Sequence, residues 1–341
     1  DLHSFPTRRS SDLPTGITMI VAVDTMGGDN APKAQIDAAI DAVKEYDVEV
    51  VLLGDENAIK KYLEGKAYDF NKISIVHCSE NIDNDEKPVM SIKKKKDSPM
   101  VKGCNMLNDK KIDALVSSGS TGALLTAGML ITGRIEGIMR PALTIVYPKA
   151  NGGAILLDVG ANSQCKSEYI NQFGYMGYAY AKAILGKDAP KVGLINIGTE
   201  EKKGSQTYID AHKLLKENEM INFIGNVEAR DIPTTDADVL VCDGFTGNIV
   251  LKLSEGVAMS LFKMIKNSLL SSFRSKIGAM LAMPAFKDIK KSMDYEEYGG
   301  AILLGINSIV IKAHGSSNAK AFKNAIRQAK TIRLVDRKSV V

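Results

Sequence analysis

Ile17-Thr-Met-Ile-Val-Ala-Val23, followed by Asp24-Thr-Met-Gly-Gly-Asp-Asn-Ala-Pro32, decides the fold. The first stretch is apolar without alternation, the pattern of a parallel strand covered on both faces. The second, rich in Gly, Asp, Asn and Pro, reads as the loop beyond that strand's carboxyl end. A helix over 34–46 and the strand Glu49-Val-Val-Leu-Leu-Gly54 complete a βαβ unit. Working outward, strand-like runs recur at 73–77, 114–117, 142–147, 154–157, 191–195, 222–225, 238–242 and 308–313, mostly separated by amphipathic segments of helix length. The alternation predicts an α/β fold, a three-layer α/β/α sandwich with a mainly parallel sheet. Ligands are expected where the strands' carboxyl ends open into polar loops.

With 341 residues, 45% hydrophobic and 25% charged, the chain has material for a large core. No run approaches the roughly 18 apolar residues of a spanning helix, and the N-terminus lacks a signal peptide's apolar region, so a cytoplasmic setting is expected. Cys78, Cys104, Cys165 and Cys242 form no CxxC pair and the four histidines show no ligand spacing; neither a metal, a cofactor nor a disulfide framework is expected. A net charge of +4 gives no reason to expect nucleic acid as a partner, yet Lys93-Lys-Lys-Lys96, Lys102, Lys110 and Lys111 concentrate positive charge. That run reads either as a solvated helix face or as a surface for an acidic protein or membrane. Phe5-Pro-Thr-Arg-Arg-Ser-Ser-Asp-Leu13 and Asp336-Arg-Lys-Ser-Val-Val341 lack the periodicity of their neighbours, and opposite strands of one short DNA can encode both. Residues 1–16 and 336–341 are therefore read as non-native or disordered extensions, and 17–335 as the functional domain.

Several apolar runs end in clusters of small polar residues that open a helix, and none carries the lysine of a nucleotide P-loop. Phosphate without nucleotide is the inference. Asp24, Gly27, Gly28 and Asn30 form one such loop, and Asp24 reads equally as a substrate ligand or as an acceptor for loop amides. Ser118-Gly-Ser-Thr-Gly122 offers hydroxyls beside backbone donors, which suits a tetrahedral anion; a helix N-cap by Ser120 or Thr121 uses the same residues. Asp158 with Asn162, Asn196 with Thr199 and Lys203, and Asp243 with Thr246, Gly247 and Asn248 repeat the arrangement after later strands. His314, Ser316 and Asn318 lie in a last polar loop, whereas His77 and His212 read as structural.

From Val257 to Met283 the chain has almost no acidic residue. Leu261, Phe262, Leu269, Leu270, Phe273 and Ile277 recur among Lys263, Lys266, Arg274 and Lys276. A protruding amphipathic helical hairpin over about 255–293 is expected. It would serve a dimer interface, a membrane surface, or both.

In order, and across nearly all of the chain from Met19 to about Lys330, these motifs resemble the bacterial phosphate acyltransferase PlsX family. The matching pieces are Asp24-Thr-Met-Gly-Gly-Asp29, Glu86-Lys-Pro-Val-Met-Ser91, Gly119-Ser-Thr-Gly-Ala-Leu-Leu-Thr-Ala-Gly128, Asp158-Val-Gly-Ala-Asn162, Asn196-Ile-Gly-Thr-Glu-Glu201, Gly225-Asn-Val-Glu-Ala-Arg230, Cys242-Asp-Gly-Phe-Thr-Gly-Asn248, Tyr295-Glu-Glu-Tyr-Gly-Gly300 and Lys312-Ala-His-Gly-Ser-Ser-Asn318. Thr25 stands where Ala is usual and Lys202 where Gly is common. The resemblance implies a fold like that of phosphotransacetylase and the isocitrate/isopropylmalate dehydrogenases, in a homodimer. It implies conversion of long-chain acyl groups on acyl carrier protein, with inorganic phosphate, to acyl phosphate and free carrier. The product feeds glycerol-3-phosphate acylation in phospholipid synthesis, so a downstream acyltransferase and the inner face of the cell membrane are implied neighbours.

The residues fit such a reaction. Phosphate is itself a nucleophile, so the chain needs to position it rather than supply a triad, and none is visible. Backbone amides, Asn162, Asn248 or Lys203 would stabilise the oxyanion, and His314 would bind or move a proton. Acidic carriers would be steered by Lys93–Lys96 or by the lysines near Lys263. Two other readings stand beside this one: a dehydrogenase of related fold, against which the missing Gly-x-Gly-x-x-Gly speaks, and a non-catalytic membrane-associated scaffold for lipid intermediates.

Overall fold

The structure, a computed structural model, describes residues 18–149, 152–293 and 299–339. The extension 1–16 and most of the Tyr295–Gly300 motif lie outside the described residues. The described residues form two compact units, the first of 18–145, 182–187 and 299–339, the second of 146–149, 152–181 and 188–293.

In the first unit, β1 (Met19–Asp24), α1 (Lys33–Tyr46), β2 (Val48–Gly54), α2 (Glu56–Leu63) and β3 (Ile73–His77) wind in one direction. The chain then passes through α3 (Pro88–Lys94) and α4 (Pro99–Asn108) to β4 (Ala114–Ser117), α5 (Thr121–Ala127) and a π-helical turn at Gly128–Thr132. β5 (Ala142–Lys149) begins in this unit, and β10 (Ala301–Leu304), β11 (Ile309–Lys312) and α10 (Ala319–Ser339) complete it. The strand order is β3-β2-β1-β4-β11-β10-β5. Strands β1 and β2 are buried along almost their whole length, which explains their uninterrupted apolar sequences: helices cover both faces. Val21 sits beside both Val50 of β2 and Ala114 of β4. Because the connections from β1 lead to β2 on one side and β4 ends up on the other, the winding reverses at β1, the kind of switch point at whose carboxyl end open α/β sheets hold their ligands.

The sequence reading omitted β10. It is four residues long, between Gly300 and Gly305, and pairs antiparallel with both β11 and β5, so the sheet is only mainly parallel. A run this short carries no periodicity to read.

The second unit contains β6 (Gly152–Leu157), most of α6 (Ser167–Leu185), β7 (Lys191–Asn196), α7 (Gln206–Glu217), β8 (Asn222–Glu228), β9 (Val239–Val241), α8 (Gly244–Leu269) and α9 (Phe273–Met293). Its parallel strands run in the order β6-β9-β7-β8. The core is Leu157, Phe173, Ile170, Leu194, Leu215 and Leu240, each worth about 1.5–3 kcal/mol when fully buried.

The helix that opens at Asp243 and the first helix of the expected hairpin are one element. Asp243 caps α8 by accepting from the Thr246 N–H at 2.8 Å, and the helix continues to Leu269 without a break. A turn through Leu270–Ser272 returns the chain as α9. Leu261, Leu270, Phe273, Ile277 and Met280 are exposed, while Phe262 and Leu269 are half-buried. No helix among the described residues is long and apolar enough to cross a membrane.

Candidate active site

Sheet order gathers the predicted residues within each unit. In the first, the neighbouring parallel strands β1, β4 and β11 end at Asp24, Ser117 and Lys312, so the loops that follow lie side by side. Asp24 is 2% exposed, and its carboxylate accepts from Ser117 Oγ at 2.6 Å and from the N–H groups of Met26 and Gly27 at 3.0 and 3.2 Å. Burial pushes this carboxyl above its ordinary pKa, against the pull of Ser117, the two amides and the Lys312 ammonium. Asp24 therefore shapes the loop, one of the two roles its sequence left open. Ser117 Oγ in turn accepts from the Gly119 N–H at 3.1 Å, and Ser118 Oγ donates to Gly27 O at 2.7 Å. Gly28 has φ +88°, and a Cβ there would meet Ser118 Oγ at 2.4 Å, so only glycine lets these loops close.

The third loop joins through the Asp29 N–H, which donates to Gly315 O at 2.8 Å, and through Asn30 Nδ2, which donates to Ser316 O and Ser317 O. His314 is exposed; its Nδ1 accepts from the Ser316 N–H at 3.3 Å and lies 2.7 Å from Ser316 Oγ. The neutral ring then carries its proton on Nε2. Asn318 Oδ1 accepts from the Ala321 N–H at 2.9 Å and caps α10. Ser120 Oγ likewise accepts from the Ala123 N–H at 3.4 Å, so it caps α5, and Thr121 and Gly122 begin that helix.

The second unit repeats the device. β6, β9 and β7 are neighbours, and each is followed by a predicted loop. Asp158, fully buried, accepts from the N–H groups of Gly160, Ala161 and Asn162 at 3.1, 2.9 and 2.7 Å and from Asn162 Nδ2 at 2.8 Å. The first turn of α8 lies against this knot: a Cβ on Gly247 would stand 1.9 Å from Asp158 O. Asn196 accepts from the Ile197 N–H and donates to Lys203 O at 3.1 Å, which folds the 197–204 loop back and presents Lys203, with its ammonium 3.8 Å from Glu200. Thr199 and Asn248 are exposed.

The loop amides engaged by Asp24 and Asp158 are thereby unavailable to an anion. The convergent backbone donors read from the sequence are in large part internal, engaged by the two aspartates.

Three residues were missed. Lys312, a cation inside a strand, sends its Nζ to Ser118 O at 3.3 Å and to Ala313 O at 2.5 Å. Gln35 is 1% exposed and donates to Gly27 O at 2.8 Å from beneath. Tyr208 donates to Asp243 Oδ2 at 2.5 Å and packs at Gly204, joining the Lys203 loop to the cap of α8. Burial and its acidic neighbours raise the Tyr208 phenol far above its ordinary pKa, so it remains a donor at neutral pH. A lysine in the last residue of an apolar strand was the one readable signal; Gln35 and Tyr208 sit in ordinary helical patterns.

Three of the four thiols are buried and held protonated. Burial pushes Cys78 and Cys104 up to about 12, and Cys242 well above its ordinary value. Among the described residues no group of three or more His, Cys, Asp or Glu is arranged to hold a metal ion.

A family described as fatty acid synthesis protein matches residues 19–338. A phosphate acyltransferase of Alkaliphilus oremlandii is 50% identical over 320 residues, 94% of this chain and 95% of that relative. Among solved structures, a phosphotransacetylase from Streptococcus pyogenes superposes with a TM-score of 0.62 at 17% identity, over 93% of this chain and 94% of the other. A 4-hydroxythreonine-4-phosphate dehydrogenase from Klebsiella pneumoniae gives 0.53 at 11% identity, over 92% and 97%. At these identities the two structures establish the α/β fold alone.

Proposed function

The chain belongs to the fatty acid synthesis protein family and is an acyltransferase, and from that premise we propose that it moves a long-chain acyl group from acyl carrier protein to inorganic phosphate. A phosphate oxygen attacks the thioester carbonyl carbon, the carbonyl oxygen takes the negative charge, and the C–S bond breaks. The carrier thiolate leaves with the proton the phosphate brought, and acyl phosphate is the product. No protein nucleophile takes part, in keeping with the raised thiols of Cys78, Cys104 and Cys242.

The observation that carries this reading is the Lys203 loop. Asn196 pins it, Gly204 packs on Tyr208, and the Tyr208 hydroxyl bonds Asp243, so an exposed cation stands on a loop tied through Tyr208 to the cap of a long helix within one unit. A cation and a helix N-terminus suit phosphate or the oxyanion. Within the same unit Asn162 and Asn248 add amides. The exposed apolar hairpin calls for a cover, which a second copy along its length and an anionic membrane at its tip both supply. Working at the membrane's inner face would hand a poorly soluble product to a glycerol-3-phosphate acyltransferase.

The test is thiol release from acyl carrier protein with and without orthophosphate. Release is expected only with phosphate, and Lys203→Ala should lower kcat roughly 10²–10³-fold, the usual loss of one oxyanion donor. A protein that releases no thiol yet binds vesicles is the scaffold instead, and one that reduces a nicotinamide is the dehydrogenase.

A further inference from the structure

α3 places an unusual face beside the first unit's loops. Ser91 and Ile92 are buried and Lys95 is held at 2.5 Å by Glu86, so the inner side of this short helix is fixed. Helical spacing then turns Val89, Met90, Lys93 and Lys94 outward together, with Lys87 and Lys96 flanking them. Val89 and Met90 are each 48% exposed, and among the described residues none of Lys87, Lys93, Lys94 and Lys96 enters an ion pair, while neighbouring Asp97 is engaged by Lys102. α3 packs against α5, where a Cβ on Gly122 would lie 2.8 Å from Pro88 Cγ. The face is thus one helix away from Ser118–Thr121.

Resting on the function proposed above, we propose that this face of α3 is where the acidic protein bearing the acyl thioester docks. The complementary surface carries carboxylates around an apolar side chain: the ammonium groups meet the carboxylates, and Val89 and Met90 receive the apolar contact. A patch of lysines alone would suit any polyanion. The paired apolar residues, and the adjacency to the loop that α5 carries, favour a protein whose cargo must reach that loop.

The experiment compares the parent with Lys93→Glu/Lys94→Glu, with Val89→Ser/Met90→Ser, and with Lys263→Glu/Lys266→Glu on the hairpin. Substrates are palmitoyl carrier protein and the palmitoyl thioester of N-acetylcysteamine, each with orthophosphate over a range of ionic strength; carrier binding is also titrated directly. Both α3 variants should raise KM for the carrier-borne substrate roughly tenfold with kcat held, and weaken the titrated binding to match. Charge reversal should flatten the salt dependence, and turnover of the small thioester should be unchanged. Unchanged carrier binding in both α3 variants would overturn the proposal, as would a loss confined to the hairpin variant. So would loss of phosphatidylglycerol-vesicle binding by Lys93→Glu/Lys94→Glu with carrier binding intact, which would assign the face to lipid. A parent inactive on both thioesters refutes the function proposed above, and the direct titration still decides the docking face.

Discussion

Two glycines of α8 should answer the same substitution with opposite signs. Alanine in a helix interior is normally better than glycine by about 1 kcal/mol, because glycine loses more backbone freedom on folding. Gly256 is exposed, and a Cβ there meets nothing within 4 Å, so Gly256→Ala should gain most of that amount. At Gly247 the new Cβ would stand 1.9 Å from Asp158 O, 2.9 Å from Asp158 C and 3.0 Å from Cys242 Sγ. The carbonyl is backbone and Asp158 is held by the amides of Gly160, Ala161 and Asn162, so neither can rotate away. The first turn of α8 must retreat by about 1 Å, at an overpacking cost of about 1–3 kcal/mol that exceeds the propensity gain. Displacing a binding group by that distance can cost roughly 10²-fold in rate. Thermal unfolding and phosphate-dependent thiol release of both variants check this: Gly256→Ala should melt slightly higher with full activity, and Gly247→Ala lower with activity down roughly 100-fold. If Gly247→Ala proved as stable and active as Gly256→Ala, the packing of α8 on the Asp158 loop would be refuted.

Two carboxylates should give opposite pH slopes. Burial raises the Asp24 pKa, so the stability of the parent relative to Asp24→Asn should be greatest in acid and fall as pH rises through that raised value. Lys95, then the Asp83 N–H and Ser91, hold Glu86 down at about 2, so the advantage over Glu86→Gln should be present above pH 4.5 and vanish as pH falls toward 2. Melting temperatures measured across that range decide both, and parallel profiles would contradict the burial of one or the pairing of the other. Asp24→Ala should be harsher than Asp24→Asn by about 1–3 kcal/mol in urea unfolding, since Ser117 and two amides lose their acceptor. Replacing Leu269 and Leu270 with Glu should abolish binding to anionic liposomes while leaving the melting temperature intact, and unchanged flotation would place those leucines in a protein interface.

Most of the fold was legible because parallel strands buried on both faces must be apolar throughout and must end in loops that turn. Ile20–Val23, Val48–Leu53 and Ala154–Leu157 announce themselves in this way, and Asp, Gly and Asn after them mark the carboxyl edge. The hairpin was legible as a basic, acid-poor helical repeat. That it is one helix with the Asp243 motif was not, because a helix start and a distant amphipathic repeat are separate signals in the sequence and only the backbone establishes that they are continuous.

Strand order was decided by the tertiary structure alone. Asp24 meets Ser117 across 93 residues, and Lys312 reaches Ser118 across 194, because crossovers place β4 and β11 beside β1. A strand's own sequence encodes its burial and its ends, but it does not encode its neighbours. For the same reason the motifs marked the loops at the strand ends and misjudged their amides: whether an N–H faces outward or an aspartate depends on where the carboxylate comes to rest once the loop has closed.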